Sequence, residues 1–340
     1  MSKSKFFRIV KTSYFFVISL LLAHLVNRPV VLCFHRIRKS SGSLLDQRIG
    51  VTEPDAFRKV INCLRILGYS FISLEQLKNI IAISQLKRVA VVTFDDGFKD
   101  LYQNAFPILK RLNIPFTLFL TTSTVESERL LWLHKLYIAI DRLCPTNRLK
   151  ILRQYDNLGN TDDDLCDMIG KIIDSNNINV IEKMALTSNM ANEAGLGKKE
   201  ERLLAEELYL TKAELREMQR HGLSIEVHGH EHLPPANLNR TETENEIACS
   251  ISYVMQEFNK KPQFFSLPYG VANQFIIDVV KDLKLSGITS TEQRLVKEFE
   301  NTYRLPRICV TTDHMHFYRR FARCCGKAFL EKLHLVKSNC

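Results

Sequence analysis

Short apolar runs of the β type alternate along this chain with segments of helical period, the pattern of an α/β domain. VVLCF over 30–34 reads as a strand, and Pro54 at a first helical position opens a helix that Gly68 ends. SLEQ at 73–76 has the spacing of a capping box. VAVVTF over 89–94 is a continuous apolar run, as in a strand buried on both faces, and it ends in the turn Asp95-Asp96-Gly97. A helix to about Leu112 and the strand PFTLFL at 115–120 follow.

Between Ser123 and Leu210 the strand pattern stops. WLHKLYIAIDRL is helical in period, while 156–200 is polar and includes the loop-like GLGKKEE, so about 124–210 reads as a helical insertion. TKAE at 211–214 opens a helix closed by Gly222, and the strand LSIEV at 223–227 delivers His228 at its end. A helix over about 243–258, the strand QFFSL at 263–267, a helix near 273–284 and the strand GITS at 287–290 complete the alternation. Chemistry in α/β sheets and barrels gathers at the C-terminal ends of parallel strands. His35, Asp95-Asp96, His228 to His232 and Pro268-Tyr269-Gly270 each directly follow an expected strand, which places four candidate sites on one face.

The ends of the chain differ from its body. Residues 1–11 carry +4 and residues 304–340 carry +6, which accounts for the whole net charge of +10. A nucleic-acid groove needs basic residues within the folded body, so a nucleic-acid partner is not expected. Basic ends beside apolar segments suit an anionic membrane surface; a pair of solvated tails is the competing reading. The run TSYFFVISLLLAHLV at 12–26 is short of the roughly 20 apolar residues that span a bilayer. Residues 1–28 therefore read as a membrane-associating segment or uncleaved anchor, or else as a buried helix of the fold. In 313–340, Phe317, Phe321, Cys325, Phe329 and Leu333 recur every four residues among basic side chains, as in a basic amphipathic helix able to make a second membrane contact. Nine cysteines without a framework spacing lean toward a reducing compartment and the cytoplasmic side, although the basic-apolar leader also permits export.

Two carboxylates at one turn need a cation or a proton among them, so one of Asp95 and Asp96 suits a metal ligand and the other a general base. His228-Gly229-His230-Glu231-His232 is more specific. His228 and His232 have a usual spacing for paired imidazole ligands where a segment turns helical, and with one carboxylate they make a three-ligand site with open positions. His230 is read as supporting the loop rather than as a third ligand.

Thr93-Phe94-Asp95-Asp96-Gly97, the later His-x-x-x-His and Pro268-Tyr269-Gly270 resemble the motifs of the polysaccharide deacetylase family, carbohydrate esterase family 4. The similarity runs in order over residues 29–310. Leu32-Cys33-Phe34-His35-Arg36 and Leu305-Pro306-Arg307-Ile308 are similar to the ends of its exopolysaccharide-type branch. The resemblance implies an irregular (β/α) barrel over 29–312 and hydrolysis of N-acetyl groups on an N-acetylated glycan, releasing acetate. It implies Asp96, His228 and His232 as ligands of a divalent, zinc-like ion, Asp95 as the base and the Tyr269 N–H as an oxyanion donor. Two departures stand out. The family's base-orienting Arg is replaced by Ser266, and Arg307 is the substitute expected from the last strand. The usual Leu-x-His acid motif is missing; His35 is the substitute, ahead of His314 and His316. A non-catalytic carbohydrate-binding relative and a membrane-bound scaffold are the competing functions.

Overall fold

The computed structural model describes residues 17, 21–23, 25–85, 87–152, 169–170, 172, 179–270, 274–311 and 314–338. Its main sheet is parallel throughout, built from β1 (Val30–Phe34), β4 (Ser70–Phe71), β5 (Val89–Asp96), β6 (Phe116–Leu120), β7 (Leu223–Val227), β8 (Phe264–Ser266), β9 (Gly287–Thr289) and β10 (Ile308–Cys309). The order is β10-β1-β5-β6-β7-β8-β9, with β4 added beside the start of β5. Two further strands, β2 (Arg36–Ile37) and β3 (Val51–Thr52), pair apart from it.

The segment 305–309 joins the two edges. Leu305 bridges Thr289 beside β9, while Ile308 and Cys309 pair with Leu32 and Cys33 of β1. The sheet therefore curls into the irregular barrel.

The period of two along each strand sorts side chains between two apolar clusters. On β5, Ala90, Val92 and Phe94 face the outer layer of helices, in the main core with Phe34, Phe57 and Phe116. Val89 and Val91 join Val31, Phe119, Phe264 and Leu305 in a smaller cluster with the helix Leu74–Ala82. Burying each such side chain stabilises the fold by about 1.5–3 kcal/mol before conformational entropy is counted. On that second parity, Thr93 and Asp95 follow Val91, Cys33 follows Val31, and Ser266 follows Phe264. The alternation that fills the barrel also stacks polar groups at its upper end.

Among the described residues, the stretch between β6 and β7 is made of helices joined by turns, with a single β-bridge, Phe98 to Tyr209, and no strand of the main sheet. Helices Trp132–Arg142, Pro145–Leu152, Val180–Glu193 and Lys198–Leu208 share their own apolar cluster, which closes on Leu44, Leu45 and Phe98. The loop-like GLGKKEE contains the start of a helix, with Gly197 as its N-cap. The C-terminal helix His314–Ser338 buries Phe317, Phe321 and Cys325 in the main core, so most of its apolar stripe serves the fold rather than facing outward. Most of 12–26 lies outside the described residues. Those described there are helical, with Ala23 and Val26 buried. Among the described residues no helix is long and apolar enough to cross a membrane.

Candidate active site and metal centre

β5 runs two residues beyond its apolar stretch, through Asp95 and Asp96, which pair with Phe119 and Leu120 of β6. Strand parity would send adjacent carboxylates to opposite faces. The backbone prevents this: the Gly97 N–H donates to the Asp95 carbonyl at 3.0 Å around Asp96, whose φ is 74°. That left-handed γ-turn is a strained conformation for a residue with a side chain. Gly97 follows at φ 107°, where an added Cβ would sit 2.8 Å from Leu120 Cδ1.

His228 extends β7, its N–H donating to the Leu120 carbonyl at 3.0 Å. The segment after it is not the helical turn that the four-residue histidine spacing suggested. Gly229 stands at φ 88° and His232 at φ 54°, so the chain loops. Thr122 and Ser123 pin this loop by donating to the carbonyls of Gly229 and His230, and Glu246 Oε1 accepts from the Glu231 N–H at 2.7 Å. Glu246 belongs to no motif, so nothing in the sequence marks it as a support of this loop. Its oxygen would lie 2.8 Å from a Cβ at position 229, which explains the glycine.

The loop brings both imidazoles to Asp96: His228 Nε2 and His232 Nε2 each lie 3.5 Å from Asp96 Oδ1. One ligand atom from each of the three residues falls within 4.8 Å of the others. His228 Nδ1 is 2.7 Å from the Ser266 carbonyl, which only accepts, so that nitrogen carries the hydrogen and Nε2 faces Asp96. Burial opposes charge on both rings. At His228 the Asp96 carboxylate outweighs it and raises the pKa; at His232, burial and the neighbouring His228 push it down to about 3. Burial also opposes the Asp96 charge, yet the His228 hydrogen bond and the charges of His232 and His35 hold its carboxyl well below the ordinary range. One carboxylate and two imidazoles, buried and converging with their ligand atoms within 4.8 Å of one another, fit a borderline-soft divalent ion. A cation held there by Asp96, His228 and His232 would take the place of the proton between His228 and Asp96.

Asp95 has other partners. Arg307 Nη1 and Nη2 donate to its two oxygens at 2.7 and 2.8 Å, and Nη2 also donates to Ser266 Oγ at 2.9 Å. The guanidinium is buried and lies over the Phe119 ring, 5.3 Å from its centroid. Ser266, in the position of the family's Arg, thus contacts the Arg that arrives from 307. Burial raises the Asp95 pKa, but the Arg307 charge outweighs it and the net shift is downward. His35 Nε2 lies 4.0 Å from Asp95 Oδ2. Tyr269 occupies the third position of a turn closed by Gly270 N–H to the Leu267 carbonyl, at φ 62° and ψ −1°. This is the type II position that favours glycine. Asp96, His232 and Tyr269 are therefore all held in left-handed backbone at one site.

A cavity of about 340 Å³ unites these residues. Cys33, His35, Asp95, Asp96, His228, His232, Tyr269, Arg307 and Cys309 all line it, and the insertion adds Leu133, Tyr137 and Gly170 to its wall. His230 is held aside, its Nδ1 2.9 Å from Thr122 Oγ1. His314 and His316, the weaker acid candidates, do not line the cavity.

Residues 83–288 match the family model described as polysaccharide deacetylase. The chain belongs to the polysaccharide deacetylase family. As such it is a hydrolase of N-acetyl amide bonds, and its curled parallel sheet is the (β/α) barrel of that family. A poly-beta-1,6-N-acetyl-D-glucosamine N-deacetylase of Staphylococcus epidermidis is 23% identical over 301 residues, covering 84% of this chain and 80% of that protein. A protein of the same name from Staphylococcus aureus is 23% identical over 316 residues, 87% of this chain and 83% of its own length. Among solved structures, IcaB from Ammonifex degensii superposes with TM-score 0.55 at 17% identity, over 88% of this chain and 97% of that one. The Streptococcus pyogenes deacetylase PplD also gives 0.55 at 17% identity, over 84% and 92%.

Proposed function

We propose that this deacetylase is metal-dependent and removes acetyl groups from an N-acetylglucosamine polymer, the substrate named for its staphylococcal relatives. The observation that carries this is the convergence of Asp96, His228 and His232 beside an Arg307-clamped Asp95 in one cavity. Asp96, His228 and His232 would hold the ion, which by its ligands is zinc-like. When bound, it supplies Lewis acidity toward the acetyl carbonyl and lowers the pKa of a water from about 16 toward 7.

The chain's own groups divide the proton work. Asp95, kept ionised and oriented by Arg307, takes the proton of the attacking water. The Tyr269 N–H donates to the developing oxyanion, a contribution of about 3–4 kcal/mol for a well-placed donor. His35 gives a proton to the departing nitrogen, leaving acetate and a free amine. Acetate release from β-1,6-linked N-acetylglucosamine oligomers tests this reading. A chelator should abolish release, and added zinc should restore it with about one ion per chain. Full activity in metal-free protein would overturn it.

We further propose that the chain rests on an anionic membrane surface. Val17, Leu21 and Leu25, each in helical conformation and four apart in sequence, are each at least half exposed, and Leu330 and Leu333 are exposed on the C-terminal helix. The two segments meet where Lys332 Nζ donates to the Leu25 carbonyl and Arg28 pairs with Glu331. Arg323, Lys327 and Lys332 are exposed beside this apolar strip, as contact with anionic headgroups requires. The full chain should sediment with phosphatidylglycerol vesicles and not with phosphatidylcholine alone, and Leu21→Asp should release most of it. Equal sedimentation of wild type and variant would refute the surface.

A further inference from the structure

Two thiols stand in the cavity without a part in the chemistry above. Cys33 and Cys309 are register partners on the parallel strands β1 and β10, and both line the cavity. Neighbouring strands run about 4.8 Å apart, within the Cα separations that disulfides span. Cys33 is fully buried and donates to Asp95 Oδ2 at 3.7 Å. Cys309 is partly exposed at the cavity wall, its N–H fixed to Gln293 Oε1 at 3.1 Å.

We propose that Cys309 is a covalent modification site at the mouth of the catalytic cavity, taking soft electrophiles and hydroperoxides, with Cys33 as the thiol that resolves its oxidised form into a disulfide. The proposal goes beyond the deacetylase reading, and its chemical readout does not depend on that reading.

The surroundings favour a thiolate at Cys309 over one at Cys33. The Cys33 hydrogen bond is the largest influence on Cys309; burial works against it, and Arg307 and His35 add to it, bringing the thiol down to about 5. Cys33 is pushed the other way, by the neighbouring Cys309 thiol, by burial and by the charge of Asp95. An accessible thiolate beside a protonated partner is the arrangement of reactive cysteine pairs. With a hydroperoxide, the Cys309 sulfur attacks the terminal oxygen. The S–O bond forms, the O–O bond breaks, and the leaving oxygen takes a proton as water or alcohol. Cys33, losing its proton, then attacks the Cys309 sulfenic sulfur, forming S–S and breaking S–O with release of water. Two thiols lose two electrons and the peroxide gains them. The disulfide removes the Cys33 donor from Asp95, and an adduct on Cys309 occupies the space through which substrate reaches it.

The test is peptide mapping of the full-length metal-loaded protein after brief treatment with limiting iodoacetamide. Cys144 and Cys249 are exposed and serve as internal references. At pH 6 Cys309 should label roughly five- to tenfold faster than either, because its thiolate is populated there. Hydrogen peroxide should yield a Cys33–Cys309 linked peptide, and in Cys33→Ala a sulfenic acid at Cys309 that dimedone traps. Cys309→Ala should retain most of its own starting rate under peroxide that inactivates the parent. Labelling of Cys144 and Cys249 ahead of Cys309 at pH 6 would overturn the reactive-thiol assignment. Peroxide oxidation of Cys309 without linkage to Cys33 would overturn the resolving role.

Discussion

Asp95→Asn should lower the deacetylation rate by about 10²- to 10⁴-fold, the usual contribution of a positioned general base, while leaving metal bound. The change is nearly isosteric and removes the only property that the proposed mechanism asks of this side chain, its readiness to accept a proton. The proposed ligands Asp96, His228 and His232 are untouched. Acetate release and metal content per chain are both measured, with circular dichroism to establish that the variant is folded. A variant that keeps its ion and retains a near-normal rate would remove Asp95 from the chemistry. A variant that loses its ion would assign Asp95 to the metal site.

Two adjacent carboxylates can do different work because their surroundings differ. Asp95 meets a guanidinium along both oxygens, and Asp96, turned away by its own φ of 74°, meets two imidazoles. Environment rather than residue type separates the roles.

The strands that carry the site were legible because each is a short, mostly apolar run, and the motif residues sit where those runs end. Other features left no such mark. The strands β2, β3, β4 and β10 have two residues each, too few for any period to register. The helix expected after Gly97 begins as a π-helical turn, Leu101–Ala105, and only then becomes α-helical at Phe106–Leu112. The His228 and His232 spacing suggested a helix, whereas Gly229 in left-handed backbone and the Glu246 carboxylate beneath the loop give the same convergence without one. Glu246 itself lies in an ordinary helix, Arg240–Phe258, with nothing in the sequence to connect it to a loop fifteen residues earlier. The helix Val180–Glu193 falls within the stretch 156–200 that composition marks as polar, and Lys198–Leu208 begins there. Yet Asn179 and Glu182 form a capping box that the sequence did contain. That Arg307 reaches Asp95 could not come from spacing, because 212 residues separate them and the barrel must close before they meet.

Arg307→Met should cost about 3–5 kcal/mol of stability, the typical effect of stripping one partner from a buried ion pair. Arg307 and Asp95 are both almost wholly buried, so loss of the guanidinium leaves the carboxylate with only the weaker Ser266 Oγ and Cys33 donors, at 3.4 and 3.7 Å. The double variant Arg307→Met with Asp95→Asn should recover part of that loss, since no uncompensated charge remains, yet stay inactive. Denaturant unfolding of the four proteins in the cycle measures the coupling. The pH dependence has a definite sign. The folded Asp95 pKa lies below its unfolded value of about 3.9, so the pair's stabilisation is fully present above that value and lost as pH falls through the folded pKa. The parent should therefore lose more stability than Asp95→Asn on acidification below about pH 4. An Arg307→Met protein as stable as the parent would mean that the carboxylate finds another partner, and the clamp would then lose its place in orienting the base.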